Sequence, residues 1–222
     1  MKGRILLIAS AVPMMASLYM VFSYVPTDKE MGIVQRIFYF HIPLAWVAFF
    51  AFFLVLLGSI QYLRKRNKKW DIFASSSAEI GIIFTTLVLI TGSIWARPIW
   101  GVWWTWDARL TTSLVLWLIY IAYFIVRAYI LEEERQARFA AIVGIIGFID
   151  VPIVALTISL SRTQHPGPII FQGGLTPPMV FTLMICLIAF TVLYFLLFTE
   201  RMSMKRNEDE VKKLKEFSEV VM

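Results

Sequence analysis

FYFHIPLAWVAFFAFFLVLLGSIQYL, residues 38–63, runs from Phe38 to Leu63 without one Asp, Glu, Lys or Arg. At 1.5 Å per residue this stretch makes a helix of about 40 Å, more than enough to cross a hydrocarbon core of about 30 Å. Outward from it, the same criterion of about 20 mostly apolar residues predicts five more spans: Ile5 to Val25, Ile72 to Ile94, Leu110 to Leu131, Phe139 to Leu160 and Met179 to Phe198. The composition agrees, because 59% of the 222 residues are hydrophobic and 16% charged, where a soluble domain carries roughly 25% charged residues. The prediction is an all-α integral membrane bundle of six transmembrane helices over residues 1–198, with a cytoplasmic tail at 199–222. The joining segments leave no room for a soluble catalytic domain. The start, MKGRILLIASAVPMM, imitates a signal peptide, but its apolar run continues past Met20 to Val25 and is read as the first span. The tail, RMSMKRNEDEVKKLKEFSEVV, reads as a short, solvated, mixed-charge helix.

Lysine and arginine give the orientation. Lys2 and Arg4 precede span one. Arg64, Lys65, Arg66, Lys68 and Lys69 follow span two, Arg127, Arg135 and Arg138 surround the join after span four, and Arg201, Lys205, Arg206, Lys212, Lys213 and Lys215 lie in the tail. Lys29, Arg36, Arg97, Arg109 and Arg162 remain for the other side. Both termini are therefore expected in the cytoplasm. The net charge of +6 is then a topology signal in a lipid bilayer and no argument for nucleic acid. The single cysteine, Cys186, excludes a disulfide framework, a CxxC pair, a thiolate zinc site and covalently attached c-type haem in this chain. No P-loop or GxGxxG occurs.

The chemically unusual residues fall on the outer side. His41 begins the second span and His165 lies in the loop SRTQHPGPIIFQGGLTPP; these are the two histidines of the chain. Between them comes WARPIWGVWWTWDARL, about residues 95–110, with Trp95, Trp100, Trp103, Trp104 and Trp106, five of the eight tryptophans. An aromatic belt at the membrane interface is one reading, but a belt is spread around a protein, whereas here one short segment holds the majority. If that segment is helical, Trp100, Trp103, Trp104 and Asp107 share one stripe, an apolar platform with a carboxylate at its edge. A large planar ligand suits it. Iron porphyrin also takes axial imidazoles, and its propionates need cations, for which Arg97, Arg109, Arg36 and Arg162 are the outer arginines. Arg36 and Arg162 serve a lipid phosphate or a local Asp as readily. Each histidine has a plain alternative, His41 bonded to a backbone carbonyl at a helix end and His165 as a loop residue beside Pro166.

WGVWWTWDARLTT resembles the tryptophan-rich WWD signature of the haem-handling proteins of bacterial cytochrome c biogenesis. With six spans, FYFHIPLAW around His41 and SRTQHPGP around His165, the chain is similar over most of its length to the haem exporter protein C family, the C subunit of the cytochrome c maturation system. Related cytochrome c synthases carry a proline and a basic-acidic pair after the WWD aspartate, where this chain has Ala108, Arg109 and Leu110. The resemblance implies a multi-pass protein of the bacterial inner membrane that binds haem b (iron protoporphyrin IX) as transient cargo at the periplasmic face. His41 and His165 would be axial ligands of the iron. Trp100, Trp103, Trp104, Trp106, Asp107, Arg97 and Arg109 would surround it. It further implies delivery to a periplasmic haem chaperone, whose own histidine becomes bonded to a haem vinyl group. The other implied partners are a small single-span D subunit and a release complex of an ATP-binding A subunit with a membrane B subunit. The chain's part would be positioning rather than acid–base chemistry, with no catalytic residue of its own. For the Asp107 carboxylate a structural role is preferred, since it would repel propionates.

Two other classes stay open at this level. A b-type electron carrier would need histidines facing one another inside the bundle, and a small-molecule transporter would need a mid-bundle polar route. Two carboxylates lie within apolar spans. Asp150 is expected to meet a hydroxyl or backbone group, with a haem or proton pathway as the sharper alternative. Glu79 is expected to reach the headgroups or Arg127.

Overall fold

The computed structural model describes residues 2–160, 165 and 174–221. Six helices dominate it: α1 (Lys2–Tyr19, continued by a π turn at Met20–Tyr24), α2 (Phe38–Lys65, entered through a 3-10 turn at Ile33–Ile37), α3 (Lys68–Trp100), α4 (Ala108–Tyr129), α5 (Glu133–Leu160) and α6 (Pro177–Val221). All six are long and apolar enough to cross a membrane. The predicted all-α transmembrane bundle is what forms, and no strand occurs among the described residues.

Local chemistry sets the helix ends. Between α2 and α3 the chain reverses at Arg66, whose left-handed backbone (φ 52°) lets its N–H close on the Tyr62 carbonyl at 2.8 Å. Asn67 then caps α3, its side chain accepting from Lys69 N–H at 3.0 Å. At the far end Gly101 takes φ 77° and donates its N–H to the Arg97 carbonyl at 3.0 Å, a left-handed stop that suits glycine. Asp107 caps α4 through the N–H groups of Arg109 and Leu110, each at 3.0 Å.

Those two caps correct the expected single stripe. Trp100 ends α3, whereas Trp103, Trp104 and Trp106 lie beyond Gly101 in non-helical chain. Helical spacing therefore does not align Trp100, Trp103, Trp104 and Asp107, because Gly101 stops one helix and Asp107 starts the next.

α2 is the hub, packed against α3, α5 and α6, with α1 lying on α6 and α4 on α5 and α3. Phe52 and Tyr120 stack at 3.6 Å between ring centroids. Gly144 brings α5 onto α2 so closely that a Cβ would stand 2.9 Å from Val55 Cγ1. In hydrocarbon, helices associate through such close packing and through interhelical hydrogen bonds. Ser77 of α3 supplies two of these, donating to the Ala51 carbonyl of α2 at 2.7 Å and meeting Tyr194 Oη of α6 at 2.8 Å. On the outside of α1, Ile5, Ile8, Val12 and Met15 are exposed, the face that lipid would cover.

α6 does not stop at Phe198 but runs as one helix for 45 residues, roughly 67 Å at 1.5 Å per residue. The tail is thus a continuation of span six. Ion pairs explain why it stays alongside the bundle. Arg201 and Lys205 both reach Glu79 of α3, the latter at 2.9 Å. Lys68 bridges Asp209 and Glu133, and Lys212 also meets Glu133. Glu79 is therefore paired with α6 and not with Arg127, which forks onto Asp71 at 2.6 and 2.9 Å. All these ions gather at the end of the bundle where α3 starts.

Candidate functional site

The opposite end of the bundle holds a cleft between α2, α3, α4 and α5, open to solvent on one side and with about 110 Å³ of enclosed space. Val88, Leu89, Ile99, Leu110, Leu116 and Val154 make its walls apolar. Against them stand His41, His165, Trp95, Trp100, Trp104 and Arg109.

Each polar member is delivered by a different element. His41 occupies the first turn of α2 and is buried, 7% exposed. Its Nδ1 lies 2.9 Å from Thr91 Oγ1 of α3. His165 comes from the segment between α5 and α6, and its ring centroid stands 6.4 Å from that of His41, with the planes 37° apart. Trp95 lies across the His41 ring edge-on at 5.9 Å. Arg109 sits in the first turn of α4, where the Asp107 cap fixes the backbone, and its guanidinium donates to the Val154 carbonyl of α5 at 2.9 Å. Trp104 folds back from the loop between α3 and α4 into the cleft and meets Trp106 edge-on at 5.9 Å.

Two indole donors, Trp95 Nε1 and Trp104 Nε1, are buried without an acceptor among the described residues. Buried polar groups in native proteins are overwhelmingly hydrogen-bonded, so a pair of orphaned N–H groups lining one cleft is a feature a cargo with acceptor atoms would satisfy.

Of the sequence candidates, His41, His165, Trp100, Trp104 and Arg109 come together here. Trp103 and Trp106 are exposed, at 58% and 76%, and do not line the cleft. Arg97 turns back onto the Gly101 carbonyl at the end of its own helix. Asp107 serves α4 as its cap and also accepts from Thr105 Oγ1 at 3.0 Å. The Arg36 Nε is buried with no partner among the described residues and lies outside the cleft lining. Arg162 and most of the loop around His165 fall outside the described residues. Asp150 Oδ2, in mid-bundle, is likewise buried without a partner there, so the expected hydroxyl or backbone partner is not found for that oxygen.

Sequence reasoning undervalued Trp95 and passed over Thr91, Gly92 and Met31, although Trp95, Gly92 and Met31 line the cleft and Thr91 bonds His41. The signal was present in VLITGSIWARPI, residues 88–99: Val88, Gly92, Trp95, Ala96 and Ile99 recur at helical spacing on the face of α3 that meets His41.

The sequence profile described as Heme exporter protein C matches residues 2–216. The Heme exporter protein C of Bradyrhizobium diazoefficiens is 35% identical over 186 residues, covering 82% of this chain and 70% of that protein. The protein of the same name from Escherichia coli K12 is 33% identical over 175 residues, 78% of this chain and 71% of its own. That of Haemophilus influenzae is 29% identical over 194 residues, 86% and 79% of the two chains. With six membrane-crossing helices and a match over almost its whole length, the chain belongs to the Heme exporter protein C family, membrane proteins that handle haem in cytochrome c biogenesis.

Proposed function

We propose that the cleft is the haem site, with the iron held between His41 and His165 and the ring against Trp100 and Trp104. The observation that carries this reading is the 6.4 Å between the two imidazole centroids. With a metal–nitrogen bond of about 2 Å on each side and the ring radius added, two imidazoles that share one ion stand about 6 Å apart. Among the described residues no group of three or more His, Cys, Asp or Glu could hold a metal. A metal held by two protein nitrogens must bring further ligands with it, as the iron of a porphyrin does. The apolar walls suit the macrocycle, and iron protoporphyrin IX, haem b, is the form that fits a chain without a cysteine pair. Arg109, already at the cleft edge, would meet a propionate, and the orphaned indole N–H groups of Trp95 and Trp104 would find acceptors there.

The cleft end would face the periplasm of a bacterial inner membrane, since sixteen of the 21 basic residues are assigned to the other side; residues 199–222 would then lie in the cytoplasm. Exposed Trp103 and Trp106, on the same loop as Trp104, would offer a surface where a periplasmic haem chaperone approaches to receive the cargo. A small D subunit and the A and B subunits of an ATP-driven release complex complete the proposed assembly. The chain's own contribution is to desolvate, orient and present haem.

Absorption spectra of the full-length protein in detergent, oxidised and dithionite-reduced, test the site with His41→Ala and His165→Ala. A six-coordinate wild-type spectrum that shifts or disappears in both variants is expected. Wild-type haem content and spectrum in both variants would refute it.

A further inference from the structure

The hydrogen bond between His41 and Thr91 decides which imidazole nitrogen can bind a metal. Thr91 Oγ1 lies 2.7 Å from the Leu87 carbonyl and 3.3 Å from that of Val88, the position from which a helical threonine donates back to its own helix. A hydroxyl has one proton to give. With that proton on the Leu87 carbonyl, Thr91 Oγ1 meets His41 Nδ1 at 2.9 Å as an acceptor. Nδ1 then carries the imidazole hydrogen, and Nε2 keeps the lone pair.

The next residue fixes where the ring can lie. A Cβ on Gly92 would stand 3.1 Å from His41 Cε1 and 3.8 Å from Nδ1, so the imidazole rests on bare α3 backbone where any other residue would crowd it. Trp95, one turn on from Thr91, closes the ring's edge at 5.9 Å. Bond, gap and wall come from a single turn of α3.

We propose that Thr91, supported by Gly92, is the positioning residue for the axial ligand: it selects the Nδ1–H form of His41 and leaves Nε2 as the nitrogen offered to the iron. This rests on the iron site proposed above and names the group that tunes it. Ligating histidines commonly donate their second ring N–H to an oxygen acceptor, which fixes the tautomer and raises the basicity of the ligand, and losing that acceptor costs about 10–100-fold in metal affinity.

The chain has two histidines, so histidine-selective ring ¹⁵N labelling of the full-length, haem-free protein gives two imidazole spin systems, assigned with His165→Gln. The wild type is expected to carry the His41 proton on Nδ1, Thr91→Ser to keep it there, and Thr91→Val to lose it to Nε2. Haemin titration of the same proteins should then give about 10–100-fold weaker binding for Thr91→Val and near wild-type binding for Thr91→Ser. The midpoint potential of bound haem should rise in Thr91→Val, because a less basic imidazole stabilises ferric iron less.

A wild-type His41 protonated on Nε2 overturns the proposal without any variant having to fold. Wild-type affinity and potential in Thr91→Val, with His41→Ala losing the six-coordinate spectrum, overturns the role of Thr91 and leaves the iron site standing. A wild-type spectrum in His41→Ala overturns the iron site and the positioning role together.

Discussion

Replacing Asp107 by Ala and by Asn separates a carboxylate that shapes the loop from one that touches cargo. Asp107 Oδ1 accepts from the N–H groups of Arg109 and Leu110 at 3.0 Å each, and Oδ2 from the Thr105 hydroxyl at 3.0 Å. Asp107→Ala removes a helix N-cap, typically about 1 kcal/mol, and the Thr105 bond, about another 1 kcal/mol. The sum, about 2 kcal/mol, lowers the closed-to-open ratio of the first turn of α4 about 30-fold. Asn ranks with Asp as a cap, so Asp107→Asn should stay within about twofold of the wild type. Hydrogen exchange read on a peptide containing Arg109 and Leu110 should show both results directly. Arg109 rides on the same turn, so haemin retention should fall with Asp107→Ala and hold with Asp107→Asn. If Asp107→Asn lost haemin as severely as Asp107→Ala while the two amides stayed protected, the negative charge would be acting on cargo or partner and the capping argument would be refuted.

Gly92→Ala places a methyl 3.1 Å from His41 Cε1; overpacking of this kind costs about 1–3 kcal/mol, expected as weaker haemin binding with little change in the α-helical CD signal, and unchanged binding would show that the ring yields freely. Trp104→Ala should weaken haemin retention roughly two- to tenfold, as loss of one aromatic stacking contact predicts, with the axial-ligand signal of the remaining haem intact, whereas Trp103→Ala and Trp106→Ala should retain haem; equal losses in all three would mean that the cleft lining is misassigned. Asp71→Ala strands Arg127, whose partner is 12% exposed, so melting should report a loss of about 3 kcal/mol, and Asp71→Leu combined with Arg127→Met should recover most of it. Both of these variants should leave the haem spectrum unaltered, and a spectral shift would contradict the separation of the two ends.

The six spans were legible because hydropathy over about 20 residues is a sum in which no single side chain decides. Helix ends are decided by one residue, and there the sequence was read less well. Gly101 and Asp107 are a C-terminal stop and an N-terminal cap standing either side of WWTW, yet the tryptophan spacing suggested one continuous helix through them. Pairing between helices was the least legible layer. Nothing local to Glu79 indicates that Arg201 and Lys205, more than a hundred residues away, will meet it in preference to Arg127. In the cleft, both histidines, Trp100, Trp104 and Arg109 announced themselves as polar or aromatic groups in apolar surroundings. Thr91 and Gly92 did not, because a threonine and a glycine inside an apolar span have the same composition whether they fill space or hold a histidine.

The two ends of α3 are built for different demands. At its start, Lys68, Asp71 and Glu79 join α3 to α4, α5 and α6 through ion pairs. At its other end, two of the polar ties between helices are single hydrogen bonds, His41 to Thr91 and Arg109 to Val154, set among apolar and indole walls. On the haem reading proposed above, the cleft needs its ligands held firmly and its walls held loosely. A hydrogen bond fixes the orientation of one side chain at a net contribution of about 1 kcal/mol, whereas breaking a buried ion pair costs about 3–5 kcal/mol, and Arg127–Asp71, with side chains 18% and 12% exposed, is such a pair. Placing the Arg127–Asp71 pair at the far end therefore ties α4 to α3 there without tying the cleft shut. His41 is fixed from a single helical turn, Thr91 to Trp95, which keeps its imidazole in place.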